Sequence, residues 1–288
     1  MPTFPTPRPI VATIDVIGDV RITASDRDDT TVAVRPGDPS NAADVRAAEQ
    51  TIVELDDGRL LVKTPKSWRH YTPFSGSATV DVAVEIPTGS AVHADSALGS
   101  LWADGELGEC RIKTAMGDIR LDRTGPLRAS TGFGAVAVDR VDGDAEVKTG
   151  SGALRLDMVG GSAAVKNSNG DTTVGEVVGE LSVKAANGDV VIGRARSSVA
   201  AKTANGDVRV ADVERGSIVL ESAAGHLAVG IHEGTAAWLD VFTRFGAVRN
   251  TLDATGAPAP TDATVEVRAR TSVGDIVITR AEPQSDLR

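Results

Sequence analysis

The 288-residue chain has a single cysteine, nine aromatic residues (five Phe, three Trp, one Tyr) and four histidines, with 30 Lys and Arg against 40 Asp and Glu. One cysteine cannot close an internal disulfide, which excludes a stapled secreted scaffold and suits a reducing cytoplasm. The acidic excess removes the cationic balance from which nucleic-acid binding draws most of its affinity. No window reaches 18 continuous apolar residues, so no segment reads as a membrane-spanning helix. The opening MPTFPTPRPI holds four prolines and no apolar stretch, unlike a secretory signal. The expectation is a cytoplasmic protein with no nucleic-acid partner and no membrane insertion. With 41% apolar and 24% charged residues, the composition is that of a chain that folds.

What is abundant is a repeat. LSVKAANGDVVI (181–192) and VAAKTANGDVRV (199–210) nearly superimpose, and AAVKNSNGDTTV (163–174) and AEVKTGSGALRL (145–156) follow the same template. The central glycines are Gly99, Gly117, Gly134, Gly152, Gly170, Gly188, Gly206, Gly225, Gly246 and Gly274. Successive spacings are 18, 17, 18, 18, 18, 18, 19, 21 and 28. The last exceeds the period by ten residues, which fall in the Pro-, Gly- and Ala-rich stretch 249–264 and read as a surface loop. A period near 18 is too short for helical pairs and suits one coil of a β-solenoid.

Side-chain columns support this, because alternate residues of a strand face the same side. Two and four residues after each glycine stand apolar columns (Ile119, Val190, Val208; Leu121, Ile192, Val210), and seven and five before stand two more (Cys110, Leu181, Val199; Ile112, Val183, Ala201). Val141, Val159, Val177, Ala195 and Val213, seven after, suggest a third short strand. A Lys column (Lys113, Lys148, Lys166, Lys184, Lys202), an Asp column (Asp118, Asp171, Asp189, Asp207, Asp275) and a Ser/Thr/Asn column (Ser96 to Thr271, three before the glycine) read as outward ladders. Asn-Gly is also a hairpin signal, but a meander needs only alternation, whereas stacked coils explain the same chemistry at the same phase.

The fold class expected is all-β: a single-stranded parallel β-helix of about 18 residues per coil with a less regular β cap at the N-terminus. Residues 1–90 form the cap, 91–280 the solenoid and 281–288 a disordered tail. IVATIDVIGDVRI (10–22) looks like an isolated copy of the unit within the cap.

Several motifs carry two readings. The Asn-Gly-Asp steps at 169–171, 187–189 and 205–207 are either turn chemistry or a stacked carboxylate ladder for Ca²⁺, although calcium needs six to eight oxygens and each corner offers one carboxylate. Lys148, Lys166, Lys184 and Lys202 form either a solvated face or a stripe for an anionic polymer such as teichoic acid, acidic polysaccharide or lipid headgroups. Trp68, Arg69, His70, Tyr71 and Phe74 are either a plug over the N-terminal end or an interaction site, since aromatic and Arg side chains anchor interfaces. Trp238, Phe242 and Phe245 form a second candidate interaction group, covered by the 249–264 loop or by another subunit.

Catalytic chemistry is poorly represented. His70, His93, His226 and His232 lack metal-ligand spacing, Cys110 lies in an inward column as a core thiol, and no phosphate-loop, nucleophile-elbow or dinucleotide fingerprint occurs. No catalytic residue, metal or cofactor is expected.

The GDVRI step at Gly18, the VEIPTGSAVHADSALGS transition (84–100) and the VKTANGDV-type units resemble the bacterial putative-adhesin family of β-strand-repeat domains of unknown function, described as toastrack-like. The resemblance spans nearly the whole chain and implies a non-enzymatic β-solenoid with adhesin-like or envelope-linked relatives. The function expected is a structural or interaction module mediating self-association or protein docking, with binding of cell-envelope carbohydrate or another anionic polymer as the alternative and a polysaccharide-active enzyme third.

Overall fold

The computed structural model describes residues 2–65, 78–253 and 263–281. The chain divides into two compact units, Met1–Asp142 and Gly143–Arg288. Both are built on the alternation of β-branched and small apolar residues with polar ones, which places one side of every strand in a core.

The first unit contains β1 (Thr3–Pro5), β2 (Val11–Val16), β3 (Val20–Ser25), β4 (Asp29–Pro36), α1 (Ala42–Gln50), β5 (Ile52–Asp56), β6 (Arg59–Lys63), β7 (Val80–Pro87), β8 (Ala91–Leu98), β9 (Leu101–Leu107), β10 (Cys110–Met116), β11 (Ile119–Thr124), β12 (Leu127–Phe133) and β13 (Val136–Val141). The second contains β14 (Ala145–Ser151), β15 (Leu154–Val159), β16 (Ala163–Asn169), β17 (Thr172–Val177), β18 (Leu181–Asn187), β19 (Val190–Ala195), β20 (Val199–Asn205), β21 (Val208–Val213), β22 (Gly216–Ala224), β23 (Leu227–Ile231), β24 (Ala236–Phe245), β25 (Val248–Asn250), β26 (Thr264–Val273) and β27 (Ile276–Arg280). Each coil gives one strand to each of two sheets, and equivalent residues of successive coils pair in parallel, as Lys166↔Lys184↔Lys202 and Thr172↔Val190↔Val208 do. The architecture is the all-β parallel solenoid that the periodicity predicts.

The glycine column turns the chain from one sheet to the other. Gly188 has φ of +123° and its N–H donates to Asn205 O at 3.0 Å. A Cβ there would lie 2.3 Å from Gly170 O, and at Gly206 one would lie 2.1 Å from Gly188 O. Only glycine accommodates both the dihedral and the approach of the next coil. The core between the corners is filled by residues such as Val183, Ile192, Val210 and Leu220, which are essentially inaccessible. Burial of each such side chain is worth about 1.5–3 kcal/mol. No aromatic residue is buried among the described residues.

Three features depart from the sequence reading. Residues seven after the glycine do not form a separate strand: Val159, Val177 and Ala195 end β15, β17 and β19, beyond two successive residues that both lie partly exposed. The Ser/Thr/Asn column is buried except at the half-buried Thr243, with the alternation placing it on the inward side. Its hydroxyls and amide donate to glycine carbonyls of the adjacent coil: Thr114 Oγ1 to Gly99 O (3.3 Å), Thr131 Oγ1 to Gly117 O (3.1 Å), Asn167 Nδ2 to Gly152 O (3.2 Å) and Ser222 Oγ to Gly206 O (3.1 Å). A buried corner carbonyl gains a partner that an apolar side chain could not supply.

The third departure is the order of the coils. In the first unit β2 lies between β6 and β8, and β3 between β7 and β9, all parallel. The first coil of the chain is therefore inserted beneath the second. In the second unit β26 lies between β22 and β24, and β27 between β23 and β25. The chain passes over one place, lays down β24 and β25, and returns to fill the gap, which accounts for the long 28-residue spacing. Both terminal coils are thereby bonded on two edges, where chain ends otherwise fray.

The first unit ends in antiparallel strands: β4 pairs with β7, β1 with β4, and β5 with β6. Helix α1 joins them, started by Asn41, whose side chain accepts the Ala43 N–H at 2.9 Å. The expected tail, 281–288, lies outside the described residues except for Ala281.

Replacing Gly188 by alanine is expected to lower the unfolding free energy by about 2 kcal/mol or more, measured by denaturant titration, because strained backbone and a backbone collision coincide there.

Candidate functional site

Two exposed surfaces of the second unit gather the residues singled out by sequence. On the outer face of the sheet containing β14, β16, β18 and β20, Lys148, Lys166, Lys184 and Lys202 stand directly opposite one another. Neighbouring strands lie about 4.8 Å apart, and like charges so placed repel. Lys148 pairs with Glu146 (2.5 Å) and Lys202 with Glu221 (2.9 Å), whereas Lys166 and Lys184 have no ion pair among the described residues. Ala164, Ser182 and Ala200 flank the row on one side and Ser168, Ala186 and Ala204 on the other. Beyond these, Asn187 Nδ2 donates to Asn169 Oδ1 (2.9 Å) and Asn205 Nδ2 to Asn187 Oδ1 (3.0 Å). The result is a platform of small side chains carrying one cationic row beside an amide ladder.

The second surface is β24, whose sequence is AAWLDVFTRF. It pairs with β26 on one edge and has no other strand neighbour among the described residues. Its outward phase carries Trp238, Asp240, Phe242 and Arg244, and Phe245 follows at the corner. Trp238 is 57%, Phe242 59% and Phe245 67% exposed. Arg270 of β26 reaches Asp240 Oδ2 at 3.1 Å, while Arg244 has no ion pair among the described residues. The structure brings Trp238, Phe242 and Phe245 onto one strand. The other candidate group, Trp68, Arg69, His70, Tyr71 and Phe74, lies outside the described residues. Reading by aromatic content passed over Asp240 and Arg244, although their alternate spacing with Trp238 and Phe242 was the signal for a shared face.

The Asp column is occupied by backbone. Asp171 Oδ1 accepts the Asp189 N–H (3.0 Å), Asp189 Oδ1 the Asp207 N–H (2.8 Å), and Asp207 Oδ1 the His226 N–H (2.7 Å). His226 takes the next place, its Nδ1 accepting the Asp275 N–H at 2.9 Å. Each carboxylate thus closes the corner of the adjacent coil, and among the described residues no three His, Cys, Asp or Glu side chains gather as a metal site. On the other sheet, six after the glycine, Glu176, Arg194 and Asp212 face one another in register, with Arg194 Nε 3.1 Å from Asp212 Oδ2 and His232 Nδ1 2.9 Å from Asp212 Oδ1. This alternating ladder was legible as a column and was missed because its chemistry changes from coil to coil. A further pair, Met116 and Phe133, stands exposed in register at the corner of the first unit.

A family model for Toastrack DUF4097 matches residues 13–286. The chain belongs to this family. The chain is similar to a putative adhesin from Bacteroides fragilis NCTC 9343, at 12% identity over 96% of this chain and 95% of that one, with a TM-score of 0.39. A putative adhesin from Parabacteroides merdae ATCC 43184 matches at 12% identity over 80% and 91%, with a TM-score of 0.41. A putative lipid binding protein from Parabacteroides distasonis ATCC 8503 matches at 10% identity over 98% and 96%, with a TM-score of 0.31. No curated protein matches the Toastrack chain. No helix among the described residues is long and apolar enough to cross a membrane.

Cys110 lies in the inward column with no exposed surface, and burial pushes its thiol up to about 11. A thiolate is the reactive form. Cys110 in the native Toastrack chain is therefore expected to resist a thiol-specific reagent at neutral pH and to react fully once denaturant unfolds the protein, as followed by reagent absorbance.

Proposed function

We propose that this chain is a non-enzymatic structural and interaction module, a β-solenoid scaffold that self-associates or docks protein through its end strand. The observation that carries this reading is β24: a ten-residue strand with three exposed aromatics and no second neighbour among the described residues. Unpaired strand edges are templates for pairing with another chain, and natural proteins usually blunt them with Pro, Lys, bulges or covering elements. The sequence AAWLDVFTRF carries neither Pro nor Lys. A non-enzymatic role is supported by the corners, where the carboxylates of the Asp column and the amides of the Asn ladder bond to the adjacent coil. A reducing, cytoplasmic setting fits the single buried thiol.

The experiment is affinity capture with the immobilised full chain beside its Phe242→Asp variant. Retention of protein, including further copies of this chain, is expected on the first and not on the second. A chain that remains monomeric at high concentration and retains nothing overturns the reading.

A second reading is favoured by the Lys row. Lys166 and Lys184 face like charges without a counter-charge among the described residues, so an anionic polymer of the cell envelope, such as an acidic polysaccharide, would supply it. The double substitution Lys166→Ala/Lys184→Ala is expected to elute from an anionic polysaccharide resin at lower salt than the parent, because exposed charge contacts weaken with ionic strength. Coincident elution overturns this reading.

A further inference from the structure

We propose that the free edge of β24 is occupied by β24 of a second copy of this chain, the two strands running antiparallel about a two-fold axis, with Asp240 of each copy opposite Arg244 of the other. This rests on the reading of β24 as the docking surface and names its occupant.

The argument is one of self-complementarity. In a two-fold interface residue i meets j wherever j meets i, so a strand that pairs with its own copy must match itself read backwards. Outward residues of one copy must also lie beside outward residues of the other if the sheet is to continue with its core face on one side. Registers that satisfy both conditions differ by steps of one residue in the position of the axis. An axis at Asp240 sets two carboxylates against each other, and like charges directly opposite destabilise a sheet. Moving it to Val241 sets Asp240 against Phe242. With the axis at Phe242, Asp240 meets Arg244 twice, the two Phe242 rings meet at the axis, and no like charges face each other.

The side chains are available for this. Arg244 is exposed and lacks an ion pair among the described residues, and Phe242 is 59% exposed. Arg270 bonds only one oxygen of Asp240, at 3.1 Å, and a carboxylate can accept at both. With the axis at Phe242, residues 239–245 of the two copies lie opposite one another, a pairing length of roughly 23 Å. A foreign strand could satisfy the backbone, but it would have no reason to carry the reversed order of acid, ring and base that this strand presents to itself.

The test is sedimentation equilibrium of the full chain between about 1 and 100 μM, with dissociation constants in the micromolar range or tighter expected for the dimer. Phe242→Asp, Asp240→Lys and Arg244→Asp are each expected to raise the dissociation constant at least tenfold, with circular dichroism showing that each variant still folds. The decisive measurement mixes Asp240→Lys with Arg244→Asp. In that heterodimer the lysine introduced into one copy would oppose the aspartate introduced into the other, and the unaltered Arg244 and Asp240 would oppose each other. Association of the mixture should therefore tighten at least tenfold relative to either variant alone. A mixture that stays monomeric, a parent that is monomeric throughout, or a dimer indifferent to Phe242→Asp overturns the proposal. A monomeric parent that still retains other proteins in a Phe242-dependent manner assigns the edge to a foreign partner and leaves the docking reading standing. A monomeric parent that retains nothing removes both.

Discussion

The corner glycine governs the structure. Its positive φ turns the chain between sheets, and its missing Cβ leaves room for the preceding glycine's carbonyl, which at Gly206 and Gly225 would come within 2.1 and 1.9 Å of a side-chain carbon. At Gly170, Gly188, Gly206 and Gly225 each corner glycine meets the glycine of the adjacent coil, so the corner sets the register of both strands that leave it. Everything else in the coil inherits that register: valines meet valines in the core, lysines meet lysines outside, and a Thr or Asn three residues earlier reaches the adjacent glycine carbonyl. The same rule explains the scarcity of aromatics. A side chain that must pack against its own copy one strand away has to be small or branched, and rings are displaced to corners, outer faces and ends.

Repetition creates a problem at the two ends of the chain, because a stack has no intrinsic last coil. The first unit resolves it with antiparallel strands and a short helix, and places the opening coil between two others. In the second unit the closing coil is likewise inserted, which satisfies β26 and β27 on both edges. The consequence is that β24 and β25 become the outermost pair. Their inward residues Leu239 and Val241 are only partly covered and Val248 is 44% exposed, although the same phases are buried elsewhere. Insertion of β26 and β27 thus leaves the open edge to β24, and that strand carries the exposed rings.

Much of the coil was legible because each column is a repeated experiment: one buried valine says little, but nine in phase define a face. What failed follows from what phase leaves open. The Ser/Thr/Asn column was read as outward because its residues are polar, yet its parity matches the buried columns, and the unmet demand is the corner carbonyl. The order of the coils was hidden because phase reports equivalence, and equivalent coils can exchange places without altering any column. Only the anomalous spacing before Gly274 hinted at the exchange. The aromatic group on β24 was found by rarity, whereas Asp240 and Arg244 are common residue types whose meaning depends on the strand having a free edge.

The two sheets of the second unit treat charge in opposite ways, and the contrast bears on which face is free to act. Glu176, Arg194 and Asp212 alternate in sign from coil to coil, with Arg194 paired to Asp212, Glu176 paired to Arg196, and His232 Nδ1 within hydrogen-bond reach of Asp212. The Lys row repeats one sign in register, and its central members are left facing like charges. In-register repulsion is thus relieved on one sheet and present on the other. At exposed sites such repulsion costs only a few tenths of a kcal/mol per pair, too little to endanger the fold.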